Sequence, residues 1–270
     1  MSGNESWKLV ILNAMLNRFL PLVLSVLVPV AFVSAPVDSS LAADSGQAKK
    51  IRIVLIGDST VSDSSGWGPG FKELLTTRTE CINAAANGRS TMSFIKEGRW
   101  TNALALQGDY YLIQFGHNNE PGKPGRSTDM PTFVNDMARY VDDARALGAK
   151  PVLVTPLTRR QWDKSDPGKI KSTLAPYAEE VKKIATEKKV PVVDLHARSI
   201  ERCEKLGREA CIAFSPTKVV GGTNTVDNTH LDKNGSRIFG KIVAEELVKA
   251  LPELKECINL TPTPEAAIGK

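Results

Sequence analysis

Residues 51–60 read IRIVLIGDST. Ile51–Gly57 is an apolar, β-branched run closed by glycine, the pattern of a strand buried on both faces of a parallel sheet. Ser59 follows one residue later, after Asp58, on the turn where a buried strand meets its next element. A serine there can present its hydroxyl and its backbone N–H at the edge of the sheet. Gly, Asp and Ser are also the commonest turn residues, so this segment alone proves little and a plain turn held by Asp58 is its simpler reading.

Working outward, similar runs occur at Tyr110–Phe115, Pro151–Thr155 and Val190–Leu195, with a weaker one at Cys81–Ala84. Between them apolar residues recur at helical spacing. Phe133, Met137, Tyr140, Ala144 and Leu147 form one stripe, and Tyr177, Val181 and Ile184 another. Ile238, Ile242, Val243, Leu247 and Leu251 form the last. These stripes are expected to be core faces. Alternating strands and helices predict one α/β domain with a mainly parallel five-stranded sheet and helices on both faces. In such sheets ligands bind beyond the carboxyl ends of the strands, so the segments after each strand are where chemistry is sought.

Three more segments stand out there. Asn87-Gly88-Arg89-Ser90 follows the weak strand, and its glycine can turn an N–H into a cleft. Gly116-His117-Asn118-Asn119 follows the Tyr110 strand, and a side-chain amide at this place can donate to a developing oxyanion. Asp227-Asn228-Thr229-His230 precedes the last helical stripe. His230 can accept a serine proton near neutral pH, and Asp227 can orient its ring. Each segment has an ordinary reading as turn or cap; their common order along one sheet edge favours a single cleft.

With Ser59, Gly88, Asn118 and His230 in this order, the chain resembles the SGNH or GDSL hydrolase family. The segments GDSTVSDSSGWG, NGRS, GHNN and DNTHL look like its rhamnogalacturonan acetylesterase branch. The resemblance spans roughly residues 51–251. It implies a three-layer αβα, flavodoxin-like domain that hydrolyses acyl esters without a cofactor. Ser59 would be the nucleophile, His230 the general base and then acid, and Asp227 its orienting carboxylate. The Ser59 N–H, Gly88 N–H and Asn118 amide would form an oxyanion hole. The chain departs from the branch at Asn119, where Asp is common, which puts the hydrogen bonding of that loop in question. No G-x-S-x-G, HExxH or P-loop segment occurs.

Weaker candidates surround these. Trp67 lies close after Ser59 and either stacks on a sugar or covers the core. Arg89, Arg159 and Arg160 follow strands and would suit uronate carboxylates; solvated surface is the plainer expectation for at least two of them. His117 is expected to support the Asn118 loop and His196 to be structural.

The full chain has 270 residues, 41% of them hydrophobic and 24% charged, which excludes disorder. Its formal charge is +5 and its pI near 9.0, with no basic block longer than two residues. That diffuse charge gives no case for nucleic acid. Residues 19–33, FLPLVLSVLVPVAFV, form an uncharged run after Lys8 and Arg18, shorter than the roughly 20 residues of a membrane span. Residues 1–43 are therefore expected to be a secretory signal peptide, residues 44–260 the catalytic domain and residues 261–270 a loose tail. Secretion or periplasmic residence follows, without membrane attachment after cleavage, and the mature chain is expected to be a monomer. In such an oxidising compartment disulfides are expected among Cys81, Cys203, Cys211 and Cys257, for example Cys203 with Cys211 and Cys81 with Cys257; four free thiols are the alternative. Three histidines and the cysteine spacing give no metal pattern.

The function expected on these grounds is removal of acetyl groups from an acetylated poly- or oligosaccharide such as pectin. A GDSL lipase, thioesterase or acyltransferase is the enzymatic alternative, and an idle carbohydrate-binding module the non-enzymatic one.

Overall fold

The computed structural model describes residues 49–220 and 223–261. The expected leader over residues 1–43 lies outside them, as does the expected tail apart from Thr261. Five parallel strands build the central sheet: β1 (Ile51–Gly57), β2 (Thr79–Asn83), β3 (Tyr110–Gln114), β4 (Lys150–Val154) and β5 (Val192–Val193). Their spatial order is β2-β1-β3-β4-β5. The winding direction reverses between β1 and β3, and the crevice beyond their carboxyl ends is the topological switch point of a flavodoxin-like sheet.

The side-chain period of two explains why both sheet faces are apolar. From β1, Ile53 and Leu55 enter one core layer and Val54 and Ile56 the other; Leu112 and Ile113 of β3 divide the same way. The first layer is closed by α1 (Gly68–Lys72), α6 (Leu195–Leu206), α7 (Arg208–Ile212) and α8 (Lys233–Ala250), through Phe71, Cys203, Cys211 and Phe239. The second is closed by α2 (Thr91–Lys96), α3 (Arg99–Leu104), α4 (Met130–Ala146) and α5 (Ala175–Lys188). The fold is a three-layer αβα sandwich, as expected. Each fully buried aliphatic side chain in these layers contributes roughly 1.5–3 kcal/mol of transfer free energy.

Helix ends follow from local chemistry. Asp129 accepts from the Thr132 N–H at the start of α4, and Asp232 from the Gly235 N–H at the start of α8. Leu147 does not belong to the core stripe that its spacing suggested. Helix α4 stops at Ala146, the left-handed Gly148 turns the chain away, and Leu147 is left 58% exposed. An antiparallel hairpin, β6 (Thr217–Val220) and β7 (Thr223–Val226), leads directly into the Asp227 segment.

The cysteines depart from the expected bridges: all four are free thiols. Cys203, Cys211 and Cys257 are buried in the first layer and Cys81 packs against it, so they serve as small apolar residues. The Cys211 thiol donates to the Cys203 carbonyl at 3.6 Å. The Cys211 sulfur beside it, together with burial, pushes the Cys203 thiol up. Burial pushes the Cys81 thiol up to about 12.

Candidate active site

The turn after β1 is built before it does any chemistry. Asp58 Oδ1 accepts from the Thr60 N–H at 2.9 Å and from the Thr60 hydroxyl at 2.7 Å. Thr60 Oγ1 in turn accepts from Gln114 Nε2 at 2.7 Å, and Gln114 Oε1 accepts from Trp67 Nε1 at 2.8 Å. Asp58 thus holds the turn, as read from the sequence. Trp67 is fully buried and edge-on to Phe71, so it covers the core and is no sugar platform. The Ser59 carbonyl accepts from the Ser62 and Ser65 hydroxyls at 3.1 and 3.0 Å, which fixes the backbone that carries the Ser59 hydroxyl.

The Asp227–His230 segment arrives at the same place from the other end of the chain. Ser59 Oγ lies 2.8 Å from His230 Nε2, and His230 Nδ1 lies 2.8 Å from Asp227 Oδ2. With Nδ1 donating to the carboxylate, Nε2 is left as an acceptor for the Ser59 hydroxyl. Asp227 Oδ1 also accepts from the Thr229 and His230 N–H groups at 2.9 and 3.0 Å. Burial by itself raises the Asp227 carboxyl, but the bonds from His230 and Thr229 outweigh it and hold the group well below the usual carboxylate range.

Two further segments complete the cleft. Gly88 has φ +76°, a left-handed backbone that disfavours any side chain, and Ser90 just after it caps α2. Asn118 is buried; its Nδ2 donates to the Arg89 carbonyl at 3.2 Å. A cavity of about 500 Å³ is lined by Ser59, Gly88, Asn118, Asp227 and His230, together with Arg126, Pro216 and others. The four segments singled out in the sequence therefore meet at one opening, at the switch point of the sheet.

Asn119 answers the question its identity raised. It is fully buried, and its Nδ2 donates to Thr91 Oγ1 at 2.8 Å and to Thr128 Oγ1 at 3.0 Å. The Thr91 hydroxyl spends its own proton on Asp136 Oδ2 at 2.7 Å, so it needs a donor at position 119 and not a second carboxylate.

The three arginines considered for substrate are engaged elsewhere. Arg89 pairs with Glu97 at 3.0 Å and donates to the Asn87 carbonyl, and it does not line the cavity. Arg159 grips Glu120 through two bonds of 2.9 and 2.6 Å. Arg160 is 5% exposed, neither surface nor substrate ligand; it donates to Ser215 Oγ and to the carbonyls of Asp227 and His230. His196 is buried, with Nδ1 3.0 Å from the Pro156 carbonyl, a structural role. The His117 carbonyl accepts from Lys123, while its ring is buried 3.7 Å from Asp58 Oδ2. Burial, with Arg159 and Lys123 nearby, holds the His117 ring well below its ordinary value, so it stays neutral.

Sequence reasoning missed Arg126 as a lining residue. It lies far from any strand end, in a glycine-punctuated loop, and only its return toward Asn118 brings it into the cleft.

The chain matches the model of the GDSL-like lipase/acylhydrolase family over residues 55–237. It is 38% identical over 223 residues to the rhamnogalacturonan acetylesterase RhgT of Bacillus subtilis (strain 168), covering 77% of this chain and 94% of that protein. It is 30% identical over 224 residues to a rhamnogalacturonan acetylesterase of Emericella nidulans, covering 74% of this chain and 84% of that protein. Among solved structures, Bacillus subtilis YxiM has a TM-score of 0.63 at 24% identity over 74% of this chain; the match spans 57% of the length of YxiM.

Proposed function

The chain belongs to the GDSL-like lipase/acylhydrolase family and is a carboxylic ester hydrolase, and from that premise we propose that it is a secreted or periplasmic carbohydrate O-acetylesterase acting on acetylated, rhamnogalacturonan-like polysaccharide. The observation that carries the reading is the unbroken hydroxyl–imidazole–carboxylate chain, with both contacts at 2.8 Å, inside a cleft also lined by Gly88 and Asn118. The identity to two rhamnogalacturonan acetylesterases supports the substrate class.

On this reading the acetyl carbonyl enters with its oxygen toward the Ser59 N–H, the Gly88 N–H and Asn118 Nδ2. Ser59 Oγ attacks the carbonyl carbon while His230 Nε2 takes its proton. Charge collects on the carbonyl oxygen, where one fixed donor is worth about 3 kcal/mol in the transition state. Asp227 stays ionised and stabilises the imidazolium that forms. His230 then protonates the departing sugar oxygen. Water repeats the sequence on the acetyl-enzyme, releasing acetate and restoring Ser59. All the groups named come from one chain, so a monomer suffices.

The test is acetate release from acetylated rhamnogalacturonan by wild type and Ser59→Ala, alongside 4-nitrophenyl esters of increasing chain length. Release by wild type, loss of at least about 10⁵-fold in the folded variant, and preference for acetate are expected. Preference for long acyl chains would make the enzyme a lipase, and undiminished turnover in Ser59→Ala would remove Ser59 from the mechanism.

A further inference from the structure

We propose that Arg126 is a specificity-determining residue that binds the carboxylate of a uronic acid, on the acetylated sugar or on its immediate neighbour. The inference rests on the acetylesterase reading above and adds to it the group that selects an acidic glycan. Arg126 lines the cleft with Ser59 and His230. Its Nη1 lies 3.4 Å from the Gly88 carbonyl and 3.4 Å from Asn118 Oδ1, so the guanidinium sits beside the place where the ester carbonyl would be held.

Of the other cations at this end of the sheet, the buried Arg160 is engaged by the Asp227 and His230 carbonyls and Ser215 Oγ, and three are ion-paired. Arg89 has Glu97, while Arg159 and Lys123 share Glu120. Among the described residues no carboxylate lies within ion-pair distance of Arg126. Those two long contacts with carbonyl-type oxygens leave most of its five donors available. An arginine fork matches a carboxylate with two parallel bonds, and part-buried at a cleft wall it is less screened than on open surface.

The loop that presents Arg126 is held in place. Asn119 Nδ2 donates to Thr128 Oγ1, the Thr128 N–H donates to the Asn119 carbonyl, and Ser127 Oγ donates to the Glu120 carbonyl. Gly122 and Gly125, at φ +82° and +71°, let the chain double back between these ties. A charge fixed before the substrate arrives costs little ordering on binding.

The experiment compares kcat/KM on two forms of one acetylated rhamnogalacturonan oligosaccharide, with its uronates as the free acid or as the methyl ester, for wild type, Arg126→Ala and Arg126→Lys, with thermal melts showing each is folded. Wild type is expected to prefer the free acid by about 10- to 100-fold, mainly through KM, with the preference weakening as salt is raised. In Arg126→Ala that ratio falls to near one; Arg126→Lys, which keeps the charge but not the fork, lies between. An unchanged ratio in both variants overturns the proposal. So does an equal loss on acid and ester, which would make Arg126 a positioning residue for Gly88 and Asn118. If Arg126→Ala does not fold, the ratio in Arg126→Lys decides. Wild-type enzyme that deacetylates neither form would instead overturn the substrate reading, and this inference with it.

Discussion

Arg160 reaches from the loop after β4 to the backbone of Asp227, Nη2 to carbonyl oxygen, at 2.9 Å. The same guanidinium bonds the His230 carbonyl and Ser215 Oγ, and the Arg160 N–H donates to the Asn228 carbonyl at 2.7 Å. One buried side chain therefore sets the shape of the segment that carries His230 and Asp227.

Replacing Arg160 by lysine keeps the charge but loses the fork, leaving buried carbonyls without donors. A loss of about 2–4 kcal/mol in stability is expected, with kcat falling more than KM rises. Urea unfolding and steady-state kinetics on an acetyl ester measure both. A variant as stable and as active as wild type would show that the segment holds its shape without the clamp.

Trp67→Ala is expected to cost roughly 3–5 kcal/mol, the usual price of emptying a buried aromatic site. Trp67→Phe, which mainly strands Gln114 Oε1, should cost about 1–3 kcal/mol. Because Trp67 is fully buried, the Phe variant should keep the wild-type KM for polysaccharide. A raised KM with unchanged stability would return Trp67 to a sugar-stacking role.

The depressed Asp227 carboxyl makes stability depend on pH with a definite sign. Its native pKa lies below its unfolded value of about 3.9, so in acid the unfolded chain binds more protons than the native one. The stabilisation is complete well above that value and disappears as pH falls through it toward the native pKa. Asp227→Asn should accordingly melt below wild type at pH 7, and the gap should narrow on acidification below about pH 4. A gap independent of pH from 3 to 7 would contradict the assignment. Activity of this variant on an acetyl ester should fall by on the order of 10²–10⁴, since the imidazole loses its orienting charge.

Asn119→Asp would set two carboxylates on the single proton of the Thr91 hydroxyl. A cost of about 1–3 kcal/mol is expected. Adding Asp136→Asn supplies the missing donor from the other side, and the double variant should recover part of that loss. Thermal melts of the two single variants and the double complete the cycle; strict additivity would mean that Thr91 does not couple the two positions.

Much of this was legible from residue patterns. The five strands lie within a few residues of the runs that marked them; β1, β3 and β4 were the clearest because a strand buried on both faces must be continuously apolar, whereas the half-buried edge strand β2 gave the weaker signal. Ser59, Gly88, Asn118 and His230 were found because each sits where its element ends and the sheet edge opens. Other features depended on partners distant in the chain. Whether Trp67 faces sugar or core was decided by Gln114 on the neighbouring strand. Arg160 looked like surface because its carbonyl partners lie about seventy positions away. The polar hairpin of β6 and β7 has no apolar alternation to betray it, and Arg126 enters the cleft through a loop tied back by Asn119–Thr128 and Ser127–Glu120 bonds.

Ser59 and His230 stand 171 positions apart, and their contact is closed only by the segment leading into the last helix. An incomplete polypeptide lacking that segment lacks the Ser59–His230 contact, however well its earlier strands have assembled. On the proposed mechanism turnover is therefore a late clock for maturation: in refolding, burial of Trp67 can run ahead of ester hydrolysis, but ester hydrolysis cannot run ahead of the docking of the Asp227–His230 segment.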